Sequence, residues 1–132
     1  MRLPKGWQSW HLCILSAVIA LPGAASAQRM NAETFFKRAS ALEVLGPLAL
    51  LQPDEIKTLT DEAKAAAKRA DGLRKAAIKA RRKPRYCPPS DEVKMESSEF
   101  MDRLRAIPAH VRTRIDMTEA ATRIGTAKYP CR

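Results

Sequence analysis

Apolar residues in the first third of the chain recur at steps of three and four: Phe35, Phe36, Ala39 and Leu42 share one face of a helix predicted over Ala32–Leu45. Asn31 caps its start, and Gly46 with Pro47 stops it. The segment "PLALL", 47–51, reads as a short apolar turn and is expected to be buried. Pro53 suits the first position of a second helix, with Asp54 and Glu55 at the positive end of its dipole. From there Ile56, Leu59, Ala63, Ala66, Ala70, Leu73, Ala77 and Ala80 form a heptad seam, predicting a long helix that ends at Lys83 and Pro84. Alanine at most of these positions brings helices close but buries little area, so the seam is a packing stripe, not a free-standing coiled coil. Gly72 is the expected bend.

Beyond it, "PRYCPPSDEVKM" predicts a rigid, proline-rich connection. A third helix is expected from Ser97 or Ser98, turning Phe100, Met101 and Leu104 inward until Pro108 breaks or re-angles it. Asp116 and Glu119 have the spacing of a capping box for a last helix, Met117 to about Lys128, with Met117, Ala120, Ala121 and Ile124 on one face. No alternating pattern of strand length and no internal repeat emerges. The expected fold is all-α: a small helical bundle with one long, alanine-rich, basic helix.

The chain's beginning changes this picture. Arg2 and Lys5, the apolar run "LCILSAVIAL" at 12–21 and "ASA" at 25–27 have the three-part form of a cleaved secretory signal. The run is too short for a bilayer span, which needs about 20 apolar residues. Residues 1–27 are therefore expected to be removed, leaving one helical domain over 28–132 in the periplasm, made of N-terminal helices to 83 and a second segment over 84–132. Cys13 leaves with the signal, and Cys87 and Cys131 remain. In an oxidising compartment a lone pair of cysteines is most simply a disulfide. Closing a loop of about 45 residues contributes roughly 4 kcal/mol on the chain-entropy model.

Such a brace matters here, because Leu, Ile, Val and Phe supply only 19 of the remaining 105 residues, a composition bordering on the disordered class. Seventeen alanines in the same stretch pull towards helix without adding much core.

Charge supplies the main functional signal. Of the 24 Lys and Arg, all but Arg2 and Lys5 follow the signal, and they face 14 Asp and Glu. The cations concentrate in Lys68, Arg69, Arg74, Lys75, Lys79, Arg81, Arg82, Lys83 and Arg85, with only Asp71 opposing them locally in sequence. An ordinary solvated helix face, its cations favoured by the negative end of the dipole, is the first reading. The second is contact with an acidic protein or an anionic envelope surface, through Lys79, Arg81, Arg82, Lys83 and Arg85. Nucleic acid is disfavoured by the exported location and by the scarcity of aromatics for base stacking, Tyr86 alone being close.

Catalytic chemistry finds little footing. His110, the single histidine after residue 27, sits near Pro108 in an expected turn, where a surface or capping role outweighs that of a general base. The two thiols are expected to be bonded to each other and so offer no nucleophile. Glu96, Glu99 and Asp102 cluster where a helix start favours negative charge. Two cysteines with one histidine cannot close a standard zinc site. No enzyme activity, metal or cofactor is expected.

The stretch from Tyr86 to Cys131 carries a further pattern: Tyr86, Cys87 and Pro88; a helical segment Phe100 to Ile107 followed by Pro108; Ala120 and Ala121; and Tyr129, Pro130 and Cys131. In this it resembles the C-terminal part of the Tai-type immunity proteins. The resemblance implies a periplasmic, all-helical, disulfide-braced protein, often dimeric. It also implies binding to a type VI secreted peptidoglycan amidase whose catalytic groove it occludes. On that basis the chain is expected to be an inhibitor acting on an acidic effector surface. The alternative is an envelope-associated structural or adaptor protein, held by its basic helix to anionic surfaces.

Overall fold

The computed structural model describes residues 29–91 and 93–132, so the proposed signal segment lies outside it. Among the described residues there are five α-helices and no strand: α1 (Ala32–Leu45), α2 (Pro53–Lys79), α3 (Ser97–Ala106), α4 (Ala109–Arg112) and α5 (Met117–Lys128). A 3₁₀ turn, Gly46–Leu51, joins α1 to α2.

Asn31 caps α1 by accepting from the Glu33 and Thr34 backbone N–H groups at 2.9 and 3.2 Å. Its side-chain amide donates onward to the carbonyls of Thr113 and Ile115. The Met117 N–H also donates to the Met30 carbonyl at 2.9 Å, so the starts of α1 and α5 are tied together. Asp116 caps α5 by accepting from the Glu119 N–H at 2.8 Å. Only half of the expected capping box forms, because the Glu119 carboxylate turns instead to Arg85 and Arg123.

The core lies chiefly between α2 and α5, where Leu59, Ala66 and Ala70 meet Met117, Ala120, Ala121 and Ile124. Phe35 of α1 joins it and stands edge-on to Phe100 of α3, ring centroids 6.1 Å apart. Met101 and Leu104 complete the inward face of α3. A disulfide joins Cys87 to Cys131, Cα atoms 4.9 Å apart, and clasps the exit from α2 to the end of α5.

Three expectations need correction. The heptad seam holds only as far as Ala70: Leu73 is 61% exposed, Ala80 is exposed, and Arg74 takes the buried position instead. An α-helix with 3.6 residues per turn drifts about 20° per heptad away from a seven-residue repeat. Over the two heptads from Leu59 to Leu73 the drift reaches about 40°, which carries Leu73 to the edge of the stripe and brings Arg74 into it. Second, the "PLALL" segment does form a turn, but Leu48, Leu50 and Leu51 are 62, 77 and 79% exposed, with Val44 beside them at 88%. α1 and α2 bury their own apolar stripes against α5 and α3, and nothing among the described residues covers the corner that joins them. Third, α2 ends at Lys79 and not at Lys83, so Arg81, Arg82 and Lys83 lie past the helix in a turn; the helix is continuous through Gly72.

Candidate functional site

The end of α2 is built as a Schellman motif. The Arg81 N–H donates to the Ile78 carbonyl at 2.9 Å and the Arg82 N–H to the Ala77 carbonyl at 2.8 Å. This geometry places Arg81 in the left-handed region, φ 56°, at the position where helices usually carry glycine. It is the one non-glycine residue with positive φ among those described. A β-carbon there costs about 1–2 kcal/mol.

Immediately downstream the chain is pinned to α5. Arg85 grips the Glu119 carboxylate through both guanidinium nitrogens, at 2.6 and 3.0 Å, and the Arg85 carbonyl accepts from the Thr126 hydroxyl at 3.1 Å. The Arg85 bond, against a smaller opposing effect of burial, holds the Glu119 carboxyl below its ordinary range, and Arg123 adds to this. Tyr86 is buried with its ring across the face of Gly125 and under the Arg74 guanidinium, 5.9 Å from the ring centroid. Burial pushes its phenol up. The Cys87 N–H donates to the Tyr129 carbonyl at 2.8 Å, and the disulfide follows.

Between these anchors stand Arg82, Lys83 and Pro84. Lys79, Arg81, Arg82 and Lys83 are all exposed and make no ion pair with any described residue. Other cations of the basic run are engaged: Arg69 with Glu62 at 2.9 Å, Arg74 with Asp71 at 2.8 Å, and Lys75 with Asp71 at 2.8 Å. The fold therefore opposes the basic run with more acids than its neighbourhood in sequence provides. Of the five candidate contact residues it brings four together as free charge and withdraws the fifth, Arg85, into a structural pair.

Among the described residues, hollows open on two sides of α2. The larger, about 590 Å³, is an open groove between α2 and the layer formed by α3 and the segment before it. Its walls are Phe35, Leu42, Ile56, Met95 and Phe100, with Ile124 beneath and Lys64, Asp71 and Asp91 at its edge. Sequence reasoning missed this groove. The signal for it is Ala63, Ala67 and Ala70 on one side of α2, side chains too short to fill the space before α3. The smaller hollow, about 290 Å³, lies under the cationic turn against α5.

The acidic group expected at the start of α3 is likewise structural. Glu99 binds Lys128 at 2.7 Å and Arg103 at 2.9 Å, and these bonds lower its pKa. Asp102 pairs with Arg105. His110 is exposed on α4. No group of three or more potential metal ligands occurs among the described residues, and none of their helices is long and apolar enough to cross a membrane. Comparison with family models, curated proteins and solved structures finds no match to this chain.

Proposed function

We propose that this is an exported binding protein that docks an acidic surface of a partner protein onto the turn formed by Lys79, Arg81, Arg82 and Lys83. The observation that carries this reading is Arg81 itself: a charged residue kept in a left-handed conformation that glycine would adopt without strain. Its neighbours in the turn are also cationic and unpaired. The Schellman motif on one side and the Arg85–Glu119 pair with the disulfide on the other hold the turn before any partner arrives. Less ordering is then left for the binding step.

The pattern from Tyr86 to Cys131 favours a peptidoglycan amidase as the partner, with this chain as its inhibitor. The test is inhibition of a purified amidase encoded beside this gene. Stoichiometric inhibition is expected, weakening with added salt and in the R81Q/R82Q/K83Q variant. Full inhibition by that variant, or no inhibition by the wild-type protein, would overturn the reading.

Exposed Ile78 and Leu73, close to the cations, favour a second reading, attachment to an anionic envelope surface. It requires salt-sensitive retention on phosphatidylglycerol vesicles that is lost in the same variant.

A further inference from the structure

The hollow beneath the cationic turn adds a specific recognition element to the docking surface, and its role rests on the reading of that surface given above. Leu73, Ala77 and Tyr86 form its apolar floor, with Thr122 of α5 behind them and Arg82 and Lys83 on its rim. Leu73 is 61% exposed because the contact stripe of α2 has passed to Arg74, so an apolar side chain faces water directly beside two unpaired cations. Arg74 and Arg85 also line the hollow, but Asp71 holds the first and Glu119 the second, so Arg82 and Lys83 are the charges free to meet a ligand.

We propose that this hollow is an anchor site for one large apolar side chain of an acidic peptide segment, with carboxylates on adjacent residues pairing with Arg82 and Lys83. Charge complementarity selects the acidic segment: Arg82 and Lys83 pair with no acid among the described residues, and they stand in a turn already held in place. The volume selects the anchor. About 290 Å³ lies just below the roughly 300–1,000 Å³ of small-molecule sites and has room for one large side chain but not for an extended ligand. The arrangement also suits a peptide better than a bilayer. The other exposed apolar cluster, at Leu48, Leu50 and Leu51, lies roughly 20 residues away along α2, about 30 Å, so the two do not form one compact apolar face for insertion.

The probe is an acetylated, amidated pentapeptide with a central phenylalanine and two aspartates on each side, titrated into the full mature protein with backbone amide NMR shifts as the readout. Shifts are expected at Leu73, Ala77 and Arg82. A peptide with alanine at the centre should bind at least about tenfold more weakly. L73S, at an exposed position, should weaken the phenylalanine peptide and leave the alanine peptide unchanged, whereas R82Q/K83Q should weaken both. If the two peptides bind equally and R82Q/K83Q abolishes both, the anchor site is overturned while the acidic docking surface stands. If neither peptide shifts these residues at millimolar concentration, both fail. Phosphatidylglycerol vesicles that perturb them where the peptides do not would reassign the site to lipid and overturn the proposal.

Discussion

The guanidinium of Arg112 donates to the Glu33 carboxylate at 2.6 Å, joining α4 to the first turn of α1 across 79 residues of sequence. The same group lies 4.0 Å from the centroid of the Phe36 ring and donates to the carbonyls of Leu104, Arg105 and Ile107 at the end of α3. Both charged side chains are mostly buried, at 7 and 13% exposure. One planar fork thus satisfies a carboxylate and the open carbonyls of a helix terminus together. Truncation in R112A leaves the mostly buried Glu33 with only the longer contact to Lys37 at 3.9 Å and takes the guanidinium from those carbonyls, and a loss of about 3–5 kcal/mol is expected from urea unfolding followed by circular dichroism. R112K should recover little of it, since a single ammonium cannot face both sets of acceptors and stack on Phe36.

Arg112 also shows where sequence reading stops. Most helix bounds were legible because they depend on local chemistry, with Asn31 and Asp116 as caps, Pro53 at a first position, and Gly46 and Pro108 as stops; the end of α2, at Lys79 and not Lys83, was not. The disulfide was legible from the cysteine count once export was expected. Which cations are free was not, because that depends on acids brought close by folding. Glu119 reaches Arg85 from 34 residues away, and Glu33 reaches Arg112 from 79. The exposed apolar corner at Leu48–Leu51 was misread for a related reason. Periodicity tells which residues are apolar, whereas burial requires an opposing surface, and the described helices spend theirs on α5 and α3.

Two glycines on different helices should respond oppositely to alanine. At Gly72, in mid-α2, a β-carbon meets nothing within 4 Å. G72A therefore gains helix propensity and loses unfolded-state entropy, raising stability by about 0.5–1 kcal/mol. At Gly125 a β-carbon would stand 3.1–3.2 Å from three ring atoms of Tyr86. That ring is buried beside a disulfide-bonded residue and has little room to retreat, so G125A should cost about 1–3 kcal/mol. Urea midpoints of the two variants against wild type decide the matter, and the expected signs leave no overlap.

Stability should fall in acid through the carboxylates that hold α5. Glu99 is lowered by its bonds to Lys128 and Arg103, and Glu119 by those to Arg85 and Arg123. For a group whose folded pKa lies below its unfolded value, the contribution is complete above the unfolded pKa, about 4.3 for Glu, and is lost as pH falls through the folded one. The urea midpoint should therefore be flat from pH 7 to about 5 and decline below about pH 4.3. E119Q lacks one of these carboxylates, so its deficit relative to wild type should shrink as pH falls. A deficit unchanged at pH 3 would show that Glu119 acts through packing and not through charge.

Arg81 couples stability to the proposed function. Its left-handed backbone costs a residue with a β-carbon about 1–2 kcal/mol, and glycine returns part of that through the greater freedom it brings to the unfolded chain. R81G should therefore raise the urea midpoint by about 0.5–1 kcal/mol of stability while keeping both carbonyl bonds of the Schellman motif. It also removes one of the exposed cations at the turn, so if the turn docks an acidic partner, the more stable protein should be the weaker binder, with a flatter salt dependence. A variant that gains stability and keeps full affinity would mean that Arg81 is strained for no binding purpose. A variant that loses stability would mean that the arginine side chain itself holds the turn, which would remove the strain argument from the docking surface.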